Sequence, residues 1–218
     1  MTESVAFSKG AGRAVVYREL APQIEALVAG ETDLAELVAL FARAAPALAL
    51  TAAIRAANDA VRKTGDERPD LKGMGSTVVC ALILDRIAHV AHAGDSRAYR
   101  VRGGKIERLT RDHSLIEEYL RENPGASEDD LEGVYRHLVT RAVGAASSLE
   151  VDVSEVDCEP GDVILFCSDG LTGPVEDEAI GHIVGRARDL DAAAKDLVQA
   201  ALDGGGPDNV TVALAKIV

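Results

Sequence analysis

Between Ser76 and Thr110, β-branched and apolar runs are joined by connections only two residues long. "STVVCALIL" meets "IAHVAHA" across Asp85-Arg86, and "SRAYRVRGGKIERLT" alternates about Gly103-Gly104. A connection that short can only turn a strand back on its neighbour, because a parallel return needs a crossover of about a dozen residues or more. The spacing therefore predicts antiparallel hairpins. Further along, "LEVDVSEVD" alternates as a half-exposed strand does, "GDVILFCSD" is apolar enough for a buried strand, and "DNVTVALAKIV" reads as a closing strand.

Helical patterning flanks this block. "LAELVALFARA" puts Leu34, Leu37, Val38 and Phe41 on one face, with Thr32 or Asp33 as N-cap. Pro46 interrupts, and a second helix is expected to run on to Gly65, followed by the polar loop "DERPDLKGMG". Residues 176–187 and 190–203 read as amphipathic helices, and the charged stretch from Asp112 to Gly144 is helical in parts, broken at Pro124-Gly125. Helices, then strands, then helices and a last strand make an α+β class. With no internal repeat or low-complexity linker, residues 1–218 are expected to form a single domain.

Acids outnumber bases 36 to 23, a formal charge of −13. Nucleic acid and anionic membrane both demand a basic surface, so neither is an expected partner. The longest apolar stretch, "AAPALALTAAI", is too short to span a bilayer, and no signal peptide precedes it. Cys80, Cys158 and Cys167 are odd in number and read as small buried thiols of a reducing compartment, so a cytoplasmic location is expected. Cys167 beside Asp169 is a poor nucleophile, because a neighbouring carboxylate suppresses the thiolate.

Three aspartates share one context. Asp95 in "VAHAGDSRAY" and Asp169 in "LFCSDGLTG" follow strands, and Asp208 in "GGGPDNVTV" precedes one. Singly, each is an ordinary turn residue. Together they place carboxylates on rigid strand ends, the donor type and setting that Mg²⁺ and Mn²⁺ prefer. Such ions lower the pKa of a bound water and polarise phosphoryl oxygens.

The ordered segments "GMGSTVV", "AHAGDSRAY", "LTRDHS", "TRAVG", "PGDVILFCSDGLTG" and "GGPDNVTV" strongly resemble the PPM-type metal-dependent protein phosphatases, also called protein phosphatase type 2C. The match covers about residues 73 to 218 and favours the serine/threonine branch. The resemblance implies an α-β-β-α sandwich of two antiparallel sheets flanked by helices. It makes Asp169 and Asp208 ligands of a catalytic Mn²⁺ or Mg²⁺, and Asp95 a ligand of an additional ion shared with Asp169. Asn209 becomes a structural neighbour, and the stretch from Ser114 to about Arg136 a variable flap beside the site. His113, His89 and His92 are read as packing or hydrogen-bonding residues. The implied partners are phosphoserine and phosphothreonine proteins and a cognate serine/threonine kinase.

Set against the family pattern, the chain reads as N-terminally truncated. Residues 1–72 contain no "RxxNED"-like phosphate-binding segment and no "DG". Two functional readings follow. The first is a phosphoserine/phosphothreonine protein phosphatase using metal-activated water, with activity impaired by the missing groups. The alternative is a pseudophosphatase, a regulatory or phosphoprotein-binding module. Missing strands also leave a sheet edge exposed, and self-association is expected unless residues 3–8 refill it.

Overall fold

A computed structural model describes residues 42–43, 45–127 and 138–218. The helical face expected at 34–41, the refilling strand at 3–8 and the flap beyond Ser127 lie outside the described residues. Helix α1 (Pro46–Glu67) starts on its proline and continues through Gly65. The effective stop is Pro69: the residue before a proline is pushed out of the helical region, and Arg68 is extended at φ −122°, ψ 100°. The loop expected here contains a short 3₁₀ turn, Pro69–Leu71.

Both hairpins form. Strands β1 (Val78–Leu84) and β2 (Ile87–Ala93) pair in antiparallel register, as do β3 (Arg97–Arg102) and β4 (Lys105–Arg108). Their tight turns need positive φ, which Gly103 and Gly104 adopt freely and which Asp85 (46°) and Arg86 (67°) adopt without glycine. Helix α2 (Leu115–Glu122) follows, its first turn capped by the Ser114 hydroxyl. Strands β5 (Asp152–Asp157) and β6 (Val163–Cys167), the one-turn helix α3 (Asp169–Thr172), helices α4 (Asp177–Arg186) and α5 (Leu190–Asp203), and strand β7 (Val212–Lys216) complete the order. Among the described residues the sheets run β1-β2-β5 and β4-β3-β6-β7.

The alternation of side chains explains why these layers stack. On β1, Val79, Ala81 and Ile83 share a core with Ala98 of β3 and Ile164 and Phe166 of β6, so the two sheets face each other. The opposite residues of β1 and β2, Val78, Cys80, Leu82, Ala91 and Ala93, pack on Leu50, Ile54 and Val61 of α1. The outer face of the second sheet, through Tyr99, Val101, Leu165 and Cys167, packs on Ile180, Val184 and Leu197 of α4 and α5. Successive strand residues point to opposite faces, so each strand feeds two cores at once. The result is helix, sheet, sheet, helix.

Two polar side chains buried in this stack are fully paired. Asn58, only 1% exposed, donates to the Ala146 carbonyl at 3.0 Å and accepts from Gly144 N–H at 2.8 Å, tying α1 to the loop before β5. Asp162, also 1% exposed, accepts from Arg102 through both oxygens at 2.8 Å and from the Glu159 N–H at 2.8 Å. Hydrogen bonding to Arg102 outweighs burial and holds this carboxyl below its ordinary value of 3.8. A lowered acid contributes stability above its unfolded pKa and loses it as pH falls through the folded one. Asp162→Asn is therefore expected to be less stable than the parent in urea at about pH 7, with the gap closing towards about pH 3. A gap independent of pH would show that the charge is immaterial.

Candidate metal centre at the strand ends

Strand register decides where the three aspartates go. Arg97 at the start of β3 pairs with Cys167 at the end of β6, and Cys167 pairs with Val212 at the start of β7. Asp95 precedes the first of these by two residues, Asp169 follows the second by two, and Asp208 precedes the third by four. All three lie at one end of the four-stranded sheet. Asp95 is half-buried, whereas Asp169 and Asp208 are exposed.

The loop segments are pinned locally. Gly94 adopts φ +121°, and a Cβ there would stand 2.4 Å from the Thr77 methyl carbon, so Thr77 lies directly on the turn that presents Asp95. The Thr77 and Ser96 hydroxyls share a hydrogen bond of 2.8 Å. On the other side, Ser168 N–H donates to the Thr211 carbonyl, Thr211 N–H donates to Ser168 Oγ, and that hydroxyl donates to the Asn209 carbonyl. These bonds hold the Asp208-Asn209 turn against Asp169-Gly170 so closely that a Cβ on Gly170 would meet the Asn209 carbonyl oxygen at 2.3 Å. Asp208 Oδ1 accepts from the Asn209 N–H at 2.6 Å, which orients the carboxylate.

Burial first, and then the negative charge of Asp169, raise the Asp95 pKa above its ordinary value. The two carboxylates act on each other, and carboxylate oxygens are the donors a hard divalent ion prefers. The positive charge of Arg97 opposes the rise, but less strongly than Asp169 promotes it. Arg97 is taken by Asp112, through Nε at 3.1 Å and Nη2 at 2.8 Å, and donates to Tyr99 Oη at 3.2 Å. Tyr99 in turn donates to Asp177 Oδ1 at 2.8 Å. The arginine of "GDSR" thus braces the sheet against α4. Cys167, just beneath, is buried and its thiol is pushed up to about 12, so it stays protonated.

A second constellation was not legible as a site. Among the described residues, His92, His113 and Asp152 each bring one ligand-type atom within 4.8 Å of the others, whereas Asp95, Asp169 and Asp208 do not converge as tightly. The imidazoles stack with centroids 4.5 Å apart and planes at 12°. His92 Nε2 contacts the Arg111 carbonyl at 2.7 Å, and burial lowers its pKa, so the ring is neutral and donates. Against the opposing effect of burial, the His113 hydrogen bond and the charge of Arg141 hold the Asp152 carboxyl below its usual value. The readable signal was only that two histidines flank the "GDS" and "RDHS" segments.

Comparison with known proteins places the chain in a family. The family model described as protein phosphatase 2C matches residues 31–210. The serine/threonine protein phosphatase PstP of Mycobacterium tuberculosis is 36% identical over 169 residues, which cover 78% of this chain and 32% of that protein. The serine/threonine phosphatase stp of Listeria welshimeri is 34% identical over 163 residues, 75% of this chain and 65% of its own length. The chain thus spans about a third of one relative and just under two thirds of the other. A crystal structure of the PstP catalytic domain in complex with two manganese ions superposes with a TM-score of 0.70 at 30% identity, covering 94% of this chain and 81% of that one.

The close approach of Gly170 to Asn209 gives a direct test of how rigidly Asp169 and Asp208 are coupled. Gly170→Ala is expected to lower stability by about 1–3 kcal/mol in urea unfolding, because backbone meets backbone there. An unchanged midpoint would mean that the two segments separate freely.

Proposed function

The chain belongs to the protein phosphatase 2C family, and from that premise we propose that it hydrolyses phosphoserine and phosphothreonine esters of proteins with Mn²⁺ or Mg²⁺ held by Asp95, Asp169 and Asp208. The observation carrying this reading is the register that delivers all three carboxylates to one end of β3, β6 and β7, with Asp95 half-buried beside Asp169. Their oxygen donors fit a hard divalent cation. When bound, the ion supplies Lewis acidity towards a phosphoryl oxygen and a water. The protein's part is to hold the carboxylates apart and oriented, through the Ser168–Thr211 bonds, the Asp208–Asn209 contact and the Thr77–Gly94 packing. A phosphoprotein substrate implies an opposing serine/threonine kinase. None of the described helices is long and apolar enough to cross a membrane, and the three cysteines are free thiols, which supports a domain working in the reducing cytoplasm.

One observation favours a second reading, a phosphoprotein-binding module without turnover. Arg97, two residues from Asp95, is committed to Asp112 and Tyr99 rather than turned to a phosphate. Loss of a single preorganised transition-state partner commonly lowers a rate about 100- to 1000-fold.

A paired assay on a phosphothreonine peptide separates the readings. The expected result is slow phosphate release that needs Mn²⁺, stops with chelator and is abolished in Asp169→Asn. Release independent of metal, or retained by Asp169→Asn, would contradict the assignment; no release with retained phosphopeptide binding would select the second reading.

A further inference from the structure

Asp95 sits on a loop that strand pairing does not reach. The β2 ladder ends at Ala93 and the β3 ladder begins at Arg97. Gly94 has no side chain to anchor it, yet both of its backbone groups are bonded to one residue. His113 N–H donates to the Gly94 carbonyl at 3.0 Å, and Gly94 N–H donates to His113 Nδ1 at 3.1 Å.

The proton on His113 follows from its partners. Nδ1 accepts, so in the neutral ring the proton lies on Nε2, which faces Asp152 Oδ2 at 3.2 Å. Asp152 also accepts from Arg141 Nη1 at 2.9 Å, and Arg141 reaches Glu150 at 3.1 Å. The ring is 5% exposed and stacks on His92. Tautomer, rotation and position are all determined by neighbours outside the aspartate cluster.

A divalent cation bound by His92, His113 and Asp152 conflicts with this arrangement. Coordination at His113 Nε2 would shift the ring proton to Nδ1, where it would oppose the Gly94 N–H. The Arg141 guanidinium, 3.3 Å from Nε2, would add cation–cation repulsion. His113 is held instead by its bonds to Gly94 and Asp152 and by the stacked His92 ring.

The same residue gathers the two stems of the segment read as a flap. The His113 carbonyl accepts from Thr140 N–H at 2.8 Å, Ser114 bridges to Val139, and Leu115 N–H donates to the Leu138 carbonyl at 2.9 Å. Thr140 Oγ1 also donates to Glu118 of α2 at 2.7 Å.

We propose that His113 is a positioning residue for Asp95: its Nδ1 acceptor and backbone N–H clamp Gly94, join the Asp95 loop to the flap stems, and thereby set the affinity of the cation held at Asp95. The inference rests on Asp95 being a ligand, as proposed above.

The test is direct Mn²⁺ binding to the full chain, read by calorimetry or by the electron paramagnetic resonance of free Mn²⁺. The variants are Asp95→Ala, His113→Asn, His113→Gln and the double variant Asp95→Ala/His113→Gln. Asn places an amide oxygen near the position of Nδ1, whereas Gln places its amide near Nε2. His113→Gln is expected to weaken one Mn²⁺ site by roughly tenfold and His113→Asn to retain it within about threefold, since a single hydrogen bond to a charged or positioned group is at stake. In the Asp95→Ala background, His113→Gln is expected to have no further effect on Mn²⁺. A merely structural role would lower the melting temperature of both His113 variants alike without this pattern. His113→Gln weakening Mn²⁺ equally in both backgrounds, or His113→Asn binding as weakly as His113→Gln, would overturn the proposal. Asp95→Ala binding Mn²⁺ like the parent would overturn the ligand reading beneath it. Asp95→Ala weakening binding while His113→Gln does not would overturn the positioning role alone.

Discussion

Strand β6 is hydrogen-bonded on both sides, to β3 and to β7, and the geometry of the site depends on that double register. Its alternate residues serve two cores: Ile164 and Phe166 face the first sheet, while Leu165 and Cys167 face α4 and α5. A slip of one residue would exchange those faces and bury the wrong set, so the register is strongly specified by hydrophobicity. Because Arg97, Cys167 and Val212 are paired across β3, β6 and β7, the chain leaves the sheet towards all three aspartates at the same end. Packing thus brings the segments that carry Asp95, Asp169 and Asp208 to one end of the sheet, and local hydrogen bonds hold them there.

Electrostatics then separates structural charge from functional charge. The chain carries a surplus of acids, 36 against 23 bases, yet its better-buried carboxylates are matched. Asp162 is paired with Arg102, and Asp112 with Arg97 and Arg108. Asp95 differs: it is half-buried, and the strongest charge acting on it is another carboxylate. Exposed acids tolerate such neighbours because water screens them, but a partly desolvated one does so poorly. Asp95 is therefore the carboxylate whose charge the proposed cation would offset most.

Much of this was legible in the sequence where the signal is local. Two-residue connections announced the hairpins, alternation announced two-faced strands, and the flanks of the aspartates announced their shared setting. Gly65 was a misleading stop, because a helix tolerates glycine and is ended here by the backbone restriction that Pro69 imposes on Arg68. What sequence did not disclose is long-range pairing between residues with no periodic signature. The Asn58–Gly144 bond spans 86 positions, and the Gly94–His113 clamp spans 19. Likewise nothing local in "GDSR" distinguishes an arginine that braces Asp112 from one that binds phosphate; only the folded geometry does.

Anomalous X-ray scattering at the manganese edge, recorded from crystals of the chain equilibrated with Mn²⁺, is the most direct measurement of where the cation resides. The expected result is a peak bounded by the carboxylates of Asp95, Asp169 and Asp208. A peak among His92, His113 and Asp152, or no peak at the aspartates in a fully folded chain, would contradict the assignment of the metal centre to the strand ends.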